Sequence, residues 1–169
     1  GADLTVENER IAGGEPIADI RIRGTRTLKG IHMPEDQVPL AIDEFPALFI
    51  AAACAEGRSI LTGAAELRVK ESDRIQVMAD GLETMGIDCT PTDDGIIIEG
   101  KGKSGDWSAV FSGGEIESHH DHRIAMSFSM AGLRTSGEIK IIGTETVATS
   151  FPTFTELANQ AGLAIQVSE

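Results

Sequence analysis

Apolar residues change their spacing along this chain, and each change marks an element. Between residues 4 and 33 the alternating runs LTVEN, ADIRIRG and LKGIHM are separated by GGEP and GTRT, the pattern of half-buried strands joined by turns. PEDQVPL follows as a proline-bounded loop. Asp43 then stands at a capping position ahead of a helix through FPALFIAAACAEG that stops at Gly57. Pro46 falls in its first turn, where a missing N–H breaks no helical bond. Between Ala47 and Ala55 this helix carries no polar stripe, so it is expected to be buried all round.

Strand SILTG comes next, then a loop through AELR. A second helix is expected over residues 72–85, where Ile75, Met78, Leu82 and Met85 recur at steps of 3, 4 and 3 and make it amphipathic. IDCTP and GIIIEG flank Asp93, Asp94 and Gly95, a hairpin whose Asp-Gly pair suits a tight turn. The order then recurs. Asp121 precedes an apolar helix, HRIAMSFSMAGL, followed by strand IKIIG, an amphipathic helix SFPTFTELANQAG and a last strand LAIQV. Asp43 and Asp121 lie 78 residues apart, so the chain reads as two copies of one unit: buried helix, strand, amphipathic helix, strands. The expectation is an α/β (α+β) fold with helices inside and sheets outside, in a single domain over residues 1–169.

Composition narrows what such a domain can do. With 27 acidic residues against 14 basic ones the formal charge is −13. That opposes the basic footprint of a nucleic-acid or anionic-membrane binder, so neither partner is expected. The length allows a sizeable core, and no stretch nears the ~20 apolar residues of a membrane helix. GADLTVENER lacks the basic-then-apolar order of a signal peptide, which makes a cytoplasmic location the expectation. Cys54 and Cys89 are too few for a disulfide framework or a four-ligand zinc site, and both read as reduced. An anionic ligand therefore requires basic residues gathered locally.

Residues 67–75, LRVKESDRI, gather them. Lys70, Glu71, Asp73 and Arg74 crowd into five positions at a helix start. The helix dipole favours acids there by about 0.3–1 kcal/mol each and disfavours Lys70 and Arg74 unless an anion sits among them. Amide N–H groups together with Lys and Arg make such a start an anion site. HHDHR, residues 119–123, repeats the anomaly, with Asp121 as cap and Arg123 in the first turn. His119, His120 and His122 are sequence neighbours that cannot all point at one ion, and only His32 remains elsewhere, so a metal centre lacks ligands. GIIIEGKGKSG fails as a phosphate loop because Ile97 stands where glycine is needed and no helix pattern follows; KGKSGD reads as a flexible connection. Two helix starts with misplaced arginines point to convergence on one anionic ligand.

DEFPALFIAAACAEG, LRVKESDRI, DHRIAMSF and TSFPTF, in that order and spacing, resemble the C-terminal domain of the 5-enolpyruvylshikimate-3-phosphate synthases. The resemblance runs from ADIRIRGTRTLKG to near the end of the chain. It implies a two-domain enzyme built of repeated βαβαββ units with its active site in the cleft between domains, so that this chain is one half and the N-terminal domain is its partner. The implied reaction moves the enolpyruvyl group of phosphoenolpyruvate to the 5-hydroxyl of shikimate 3-phosphate and releases phosphate, without metal or organic cofactor. Carried over residue by residue, Asp43 contacts the shikimate hydroxyl as proton acceptor and Lys70 lies on the shikimate-phosphate side. Glu71 delivers a proton to the methylene carbon, and Arg74 and Arg123, with His122 beside them, hold phosphoenolpyruvate. A ligand bearing carboxylate and phosphate suits guanidinium forks, and addition across an enol double bond needs a proton donor and an acceptor.

Two positions depart from the pattern. Thr149 and Ser150 replace the Lys-Thr that many members carry before Phe-Pro, which removes one cation, and Glu66 replaces an asparagine that touches the shikimate ring. The family's N-terminal Pro-Gly-Ser-Lys segment and its second domain lie outside these 169 residues, so the chain alone is expected to fold but to turn over negligibly. Alternative readings are enolpyruvyl transfer to UDP-N-acetylglucosamine, a non-catalytic anion-binding fragment, and, more remotely, a metal-dependent hydrolase acting through HHDHR.

Overall fold

β1 (Asp3–Ala12) and β2 (Glu15–Arg23) pair antiparallel about Gly13 and Gly14 in the computed structural model, which describes residues 1–24, 28–103, 105–106 and 108–168. The turn expected at GTRT falls mostly outside the described residues, as does Ser104 of the KGKSGD connection. The register sets Leu4 opposite Ile22 and Val6 opposite Ile20. Both strands are nonetheless exposed along their whole length, against the expected half-burial, because a two-stranded ribbon has no second layer to receive its apolar face. LKGIHM forms no full strand; Lys29 and His32 make isolated parallel bridges to Glu56 and Ile60. PEDQVPL, expected as a loop, winds into a 3-10 turn over Glu35–Leu40.

α1 (Phe45–Ala53) carries Pro46 in its first turn as expected, but three other expectations fail there. Its N-cap is Glu44 with no side-chain cap bond, so Asp43 does not cap it. It ends at Ala53, and Gly57 already belongs to β3 (Glu56–Leu61). Phe45, Phe49, Ile50 and Ala53 face the core, whereas Ala47, Leu48 and Ala51 are exposed, so only one side of the helix is covered. Opposite Gly57 lies Gly100 of β5 (Gly95–Lys101). A Cβ there would stand 2.2 Å from the Ala55 carbonyl oxygen and 2.6 Å from that of Ala52, so only glycine lets the strand pass beneath the helix end.

α2 (Arg74–Thr84) buries Ile75, Met78 and Leu82 on the expected stripe, with Met85 buried just beyond it. β4 (Cys89–Thr92) and β5 form the expected hairpin, giving an antiparallel sheet in the order β3-β5-β4. The second unit is leaner. β6 (Gly114–Glu117) pairs parallel with β7 (Ile139–Ile142), and α3 (His122–Ala131) connects them. The helix expected over residues 150–162 is shortened to α5 (Phe154–Gln160), and a separate α4 (Glu145–Ser150) precedes it, because Pro152 cannot donate a helical bond and restricts the residue before it. LAIQV is no strand either. The Asn159 amide both accepts from Ile165 N–H at 2.7 Å and donates to its carbonyl at 3.0 Å, taking the groups that a ladder would use.

α1 and α2 pack on β5 and β4, α2 and α3 pack on β6 and β7, and the three helices touch one another, so the helices lie inside as expected. Gly81 of α2 lies under the Phe128 ring of α3, where a Cβ would stand 2.2 Å from the ring. This close approach seats the second half of α3 against that of α2.

Candidate active site

The first turns of α2 and α3 meet the loop ahead of α1. Asp73 caps α2, its Oδ1 accepting from Gln76 N–H at 3.0 Å. Asp121 caps α3, accepting from the amides of Arg123 at 3.0 Å and Ile124 at 3.4 Å. Each cap is a short acid placed before helical amides, as local chemistry favours.

Arg74, the first residue of α2, has a side chain only 1% exposed. Each nitrogen of its guanidinium donates to a carboxylate. Nε donates to Asp121 Oδ2 at 2.8 Å, Nη1 to Asp43 Oδ1 at 3.0 Å and Nη2 to Glu71 Oε2 at 2.5 Å. Asp121 is itself fully buried and also accepts from the Ser72 hydroxyl at 3.0 Å. One carboxylate therefore caps a helix and neutralises an arginine on another helix. Part of the anion that the misplaced cations demanded is supplied by the chain itself.

Burial pushes the Asp121 carboxyl up, but the hydrogen bond and charge of Arg74, with help from Ser72 and the Arg123 amide, outweigh it and hold the group below its ordinary value. For Arg74, burial acts downward, and the bond and charge of Asp121 with the Glu71 and Asp43 contacts leave it raised. A buried pair of this kind is tolerable because its other donors and acceptors are satisfied. Among the described residues no buried side-chain nitrogen or oxygen lacks a partner.

Asp43, freed from capping, is the meeting point. Its Oδ1 takes Arg74 and lies 3.8 Å from the Lys70 ammonium, and its Oδ2 lies 3.7 Å from Arg123 Nη2. Its backbone carbonyl accepts from Arg123 Nη1 at 2.9 Å. Burial acts upward on this carboxyl, but the Arg74 hydrogen bond and the charges of Arg123, Lys70 and Arg74 prevail and lower it. With 43% of its side chain exposed, Asp43 carries the cluster to the surface, and Arg123 is 34% exposed beside it.

Of the residues singled out in the sequence, Asp43, Lys70, Glu71, Arg74 and Arg123 are thus brought together, and His122 sits in the first turn of α3 next to Arg123. Glu66, the departure noted above, pairs with the Lys70 ammonium. Thr149 is exposed on α4 and contributes no charge. His119 and His120 adopt left-handed conformations, φ 52° and 60°, and are exposed on the turn that leads into Asp121. Among the described residues, no cluster of three or more His, Cys, Asp or Glu is arranged to hold a metal ion. The bonds that Asp121 makes to Arg74 and Ser72 have no counterpart in the sequence pattern. The only local signal was an acid before a helix, which reads as a cap and says nothing of a partner 47 positions away.

The cluster can hold a small anion at its exposed edge and move protons between Asp43, Glu71 and a ligand. Its own acids, Asp43, Glu66, Glu71 and Asp121, outnumber Lys70, Arg74 and Arg123, so strong anion capture needs cations from another surface.

The family model of EPSP synthase (3-phosphoshikimate 1-carboxyvinyltransferase) matches residues 3–157. The 3-phosphoshikimate 1-carboxyvinyltransferase of Methylococcus capsulatus is 60% identical over 168 residues, covering 99% of this chain and 36% of that protein. Its namesake from Nitrosococcus oceani is 60% identical over 166 residues, covering 98% and 35%. A solved structure of EPSP synthase from Acinetobacter baumannii superimposes with a TM-score of 0.98 at 89% identity, covering 99% of this chain and 38% of that one. The chain spans little more than a third of the length of these relatives. No helix among the described residues is long and apolar enough to cross a membrane. With a family model matched over residues 3–157 and relatives about 60% identical along nearly its whole length, the chain belongs to the EPSP synthases.

Proposed function

We propose that residues 1–169 belong to the C-terminal domain of a two-domain, cytoplasmic enolpyruvyl transferase, and that the cluster around Asp43 is one wall of its active site. The reaction adds the 5-hydroxyl of shikimate 3-phosphate to phosphoenolpyruvate; loss of phosphate and of a methyl proton then restores the double bond. The convergence of Arg74, Arg123 and Lys70 on the single carboxylate of Asp43 carries this reading.

Arg123, partly exposed and in the first turn of α3, grips the carboxylate or phosphate of phosphoenolpyruvate, with His122 at its side. Arg74 offers the ligand its Nη1 and Nη2 edge, where Asp43 and Glu71 now sit, while Asp121 holds Nε from behind. An anion taking that edge releases Glu71 to carry a proton to the methylene carbon. It also draws cations from Asp43, which raises that carboxylate's affinity for the hydroxyl proton. Lys70 faces the shikimate phosphate. No step calls for a metal or organic cofactor.

The N-terminal domain of the same enzyme supplies the opposite wall and the cations that this wall lacks. Without it the cleft cannot exclude water or align two anions. The purified chain is therefore expected to release no phosphate from the two substrates, whereas the two-domain enzyme does. Titrating the isotopically labelled two-domain enzyme with phosphoenolpyruvate and shikimate 3-phosphate should shift the amides around Lys70 and Arg123. An equal response to UDP-N-acetylglucosamine, or none to either substrate, would overturn the assignment.

A further inference from the structure

Between Leu67 and Arg74, both buried, no apolar side chain anchors the backbone, and Val69 is 80% exposed. Yet this segment carries Lys70 and Glu71. Arg68 spans it. Its Nε donates to the Asp93 carbonyl at 2.9 Å, in the β4–β5 turn, and its Nη2 to the carbonyl of Thr92, the last residue of β4, at 2.5 Å. Its Nη1 donates to Asp73 Oδ2 at 2.6 Å, the same carboxylate whose other oxygen caps α2. The turn is anchored on the far side as well, since Asp94 accepts from Gly63 N–H at 2.8 Å through its side chain and from Ala64 N–H at 2.7 Å through its carbonyl. One planar fork thus ties the hairpin turn to the cap of α2 and closes residues 69–72 into a short loop of fixed span.

We infer that Arg68 is a positioning residue for the transferase reaction: it touches no proposed ligand group, but it sets where Lys70 and Glu71 stand. The inference rests on the function proposed above. Lysine cannot replace it, because a single ammonium cannot reproduce three donors in one plane.

The test uses the two-domain enzyme. R68K is expected to lower kcat by about 10- to 100-fold, since a displacement near 1 Å costs that much, while KM for phosphoenolpyruvate stays within about twofold. With shikimate 3-phosphate saturating, so that Lys70 does not limit turnover, Arg68 acts on kcat through Glu71, and the R68K/E71Q double variant should be no slower than E71Q alone. Losses that multiply, as global destabilisation would produce, overturn the inference, and so does an R68K enzyme with wild-type kcat. D73N, whose oxygen keeps the α2 cap while its amide N–H2 faces the Arg68 Nη1 donor, breaks the third contact, leaves the two hairpin bonds, and provides the same cycle if R68K does not fold. Should E71Q itself turn over normally, the assignment of Glu71 fails independently. Hydrogen exchange at residues 69–73 then decides the matter: faster exchange in R68K upholds the inference, and unchanged exchange overturns it.

Discussion

Arg74 and Arg123 stand alike in the sequence, each in the first turn of a helix where the dipole disfavours a cation, yet the fold treats them oppositely. Arg74 is enclosed, with Asp121, Asp43 and Glu71 taking its donors. Arg123 reaches a backbone carbonyl with one nitrogen and keeps a third of its side chain exposed. The first is a keystone between helices and the second is an open hand. A convergence of guanidinium groups can therefore mean two different things, and burial tells them apart.

The largest effect expected to expose this difference is on stability. R74M strands the buried Asp121 carboxylate and should cost about 3–5 kcal/mol in chemical denaturation, whereas R123M should cost under about 1 kcal/mol. Equal losses would erase the distinction. D121N comes next, at about 1.5–3 kcal/mol, because the amide keeps an oxygen for the α3 cap but loses the charge and turns an N–H2 donor toward Arg74 Nε. The same variant sharpens the pH dependence. The folded Asp121 carboxyl titrates below its unfolded counterpart, so its contribution is complete above the unfolded value of about 4 and fades as pH falls through the lower folded value. Acid denaturation profiles of wild type and D121N should accordingly converge at low pH.

Ligand binding is expected to reverse the order of the two arginines. R123A in the two-domain enzyme should weaken phosphoenolpyruvate by about 1.5–3 kcal/mol in a calorimetric titration, and added salt should reduce the wild-type advantage. A variant that binds as tightly as wild type would make Arg123 a structural residue only. The smallest effect belongs to E71Q. Its carboxylate is half exposed, so thermal unfolding should shift by less than about 1 kcal/mol even as turnover falls.

Much of this was legible beforehand because it rests on local rules. The α2 stripe of Ile75, Met78 and Leu82, the Asp-Gly hairpin and the Asp121 cap each follow from short-range spacing, and they appear as expected. Failures cluster where a distant partner decides. LAIQV has strand-like residues, but Asn159 takes the backbone groups of Ile165. Asp43 has the chemistry and position of a cap, but Arg74 lies within reach, and a charged donor outcompetes helix amides for its carboxylate.

The sequence by itself determined which residues could carry the chemistry, the family to which their order points, and the helices and turns that present them, because these depend on residue type and on neighbours a few positions away. Only the tertiary structure decided that Arg74 is walled in while Arg123 is open, and that one buried aspartate serves two helices. Burial and ion pairing arise between segments 31 to 80 positions apart, and no local pattern encodes which carboxylate a guanidinium will meet.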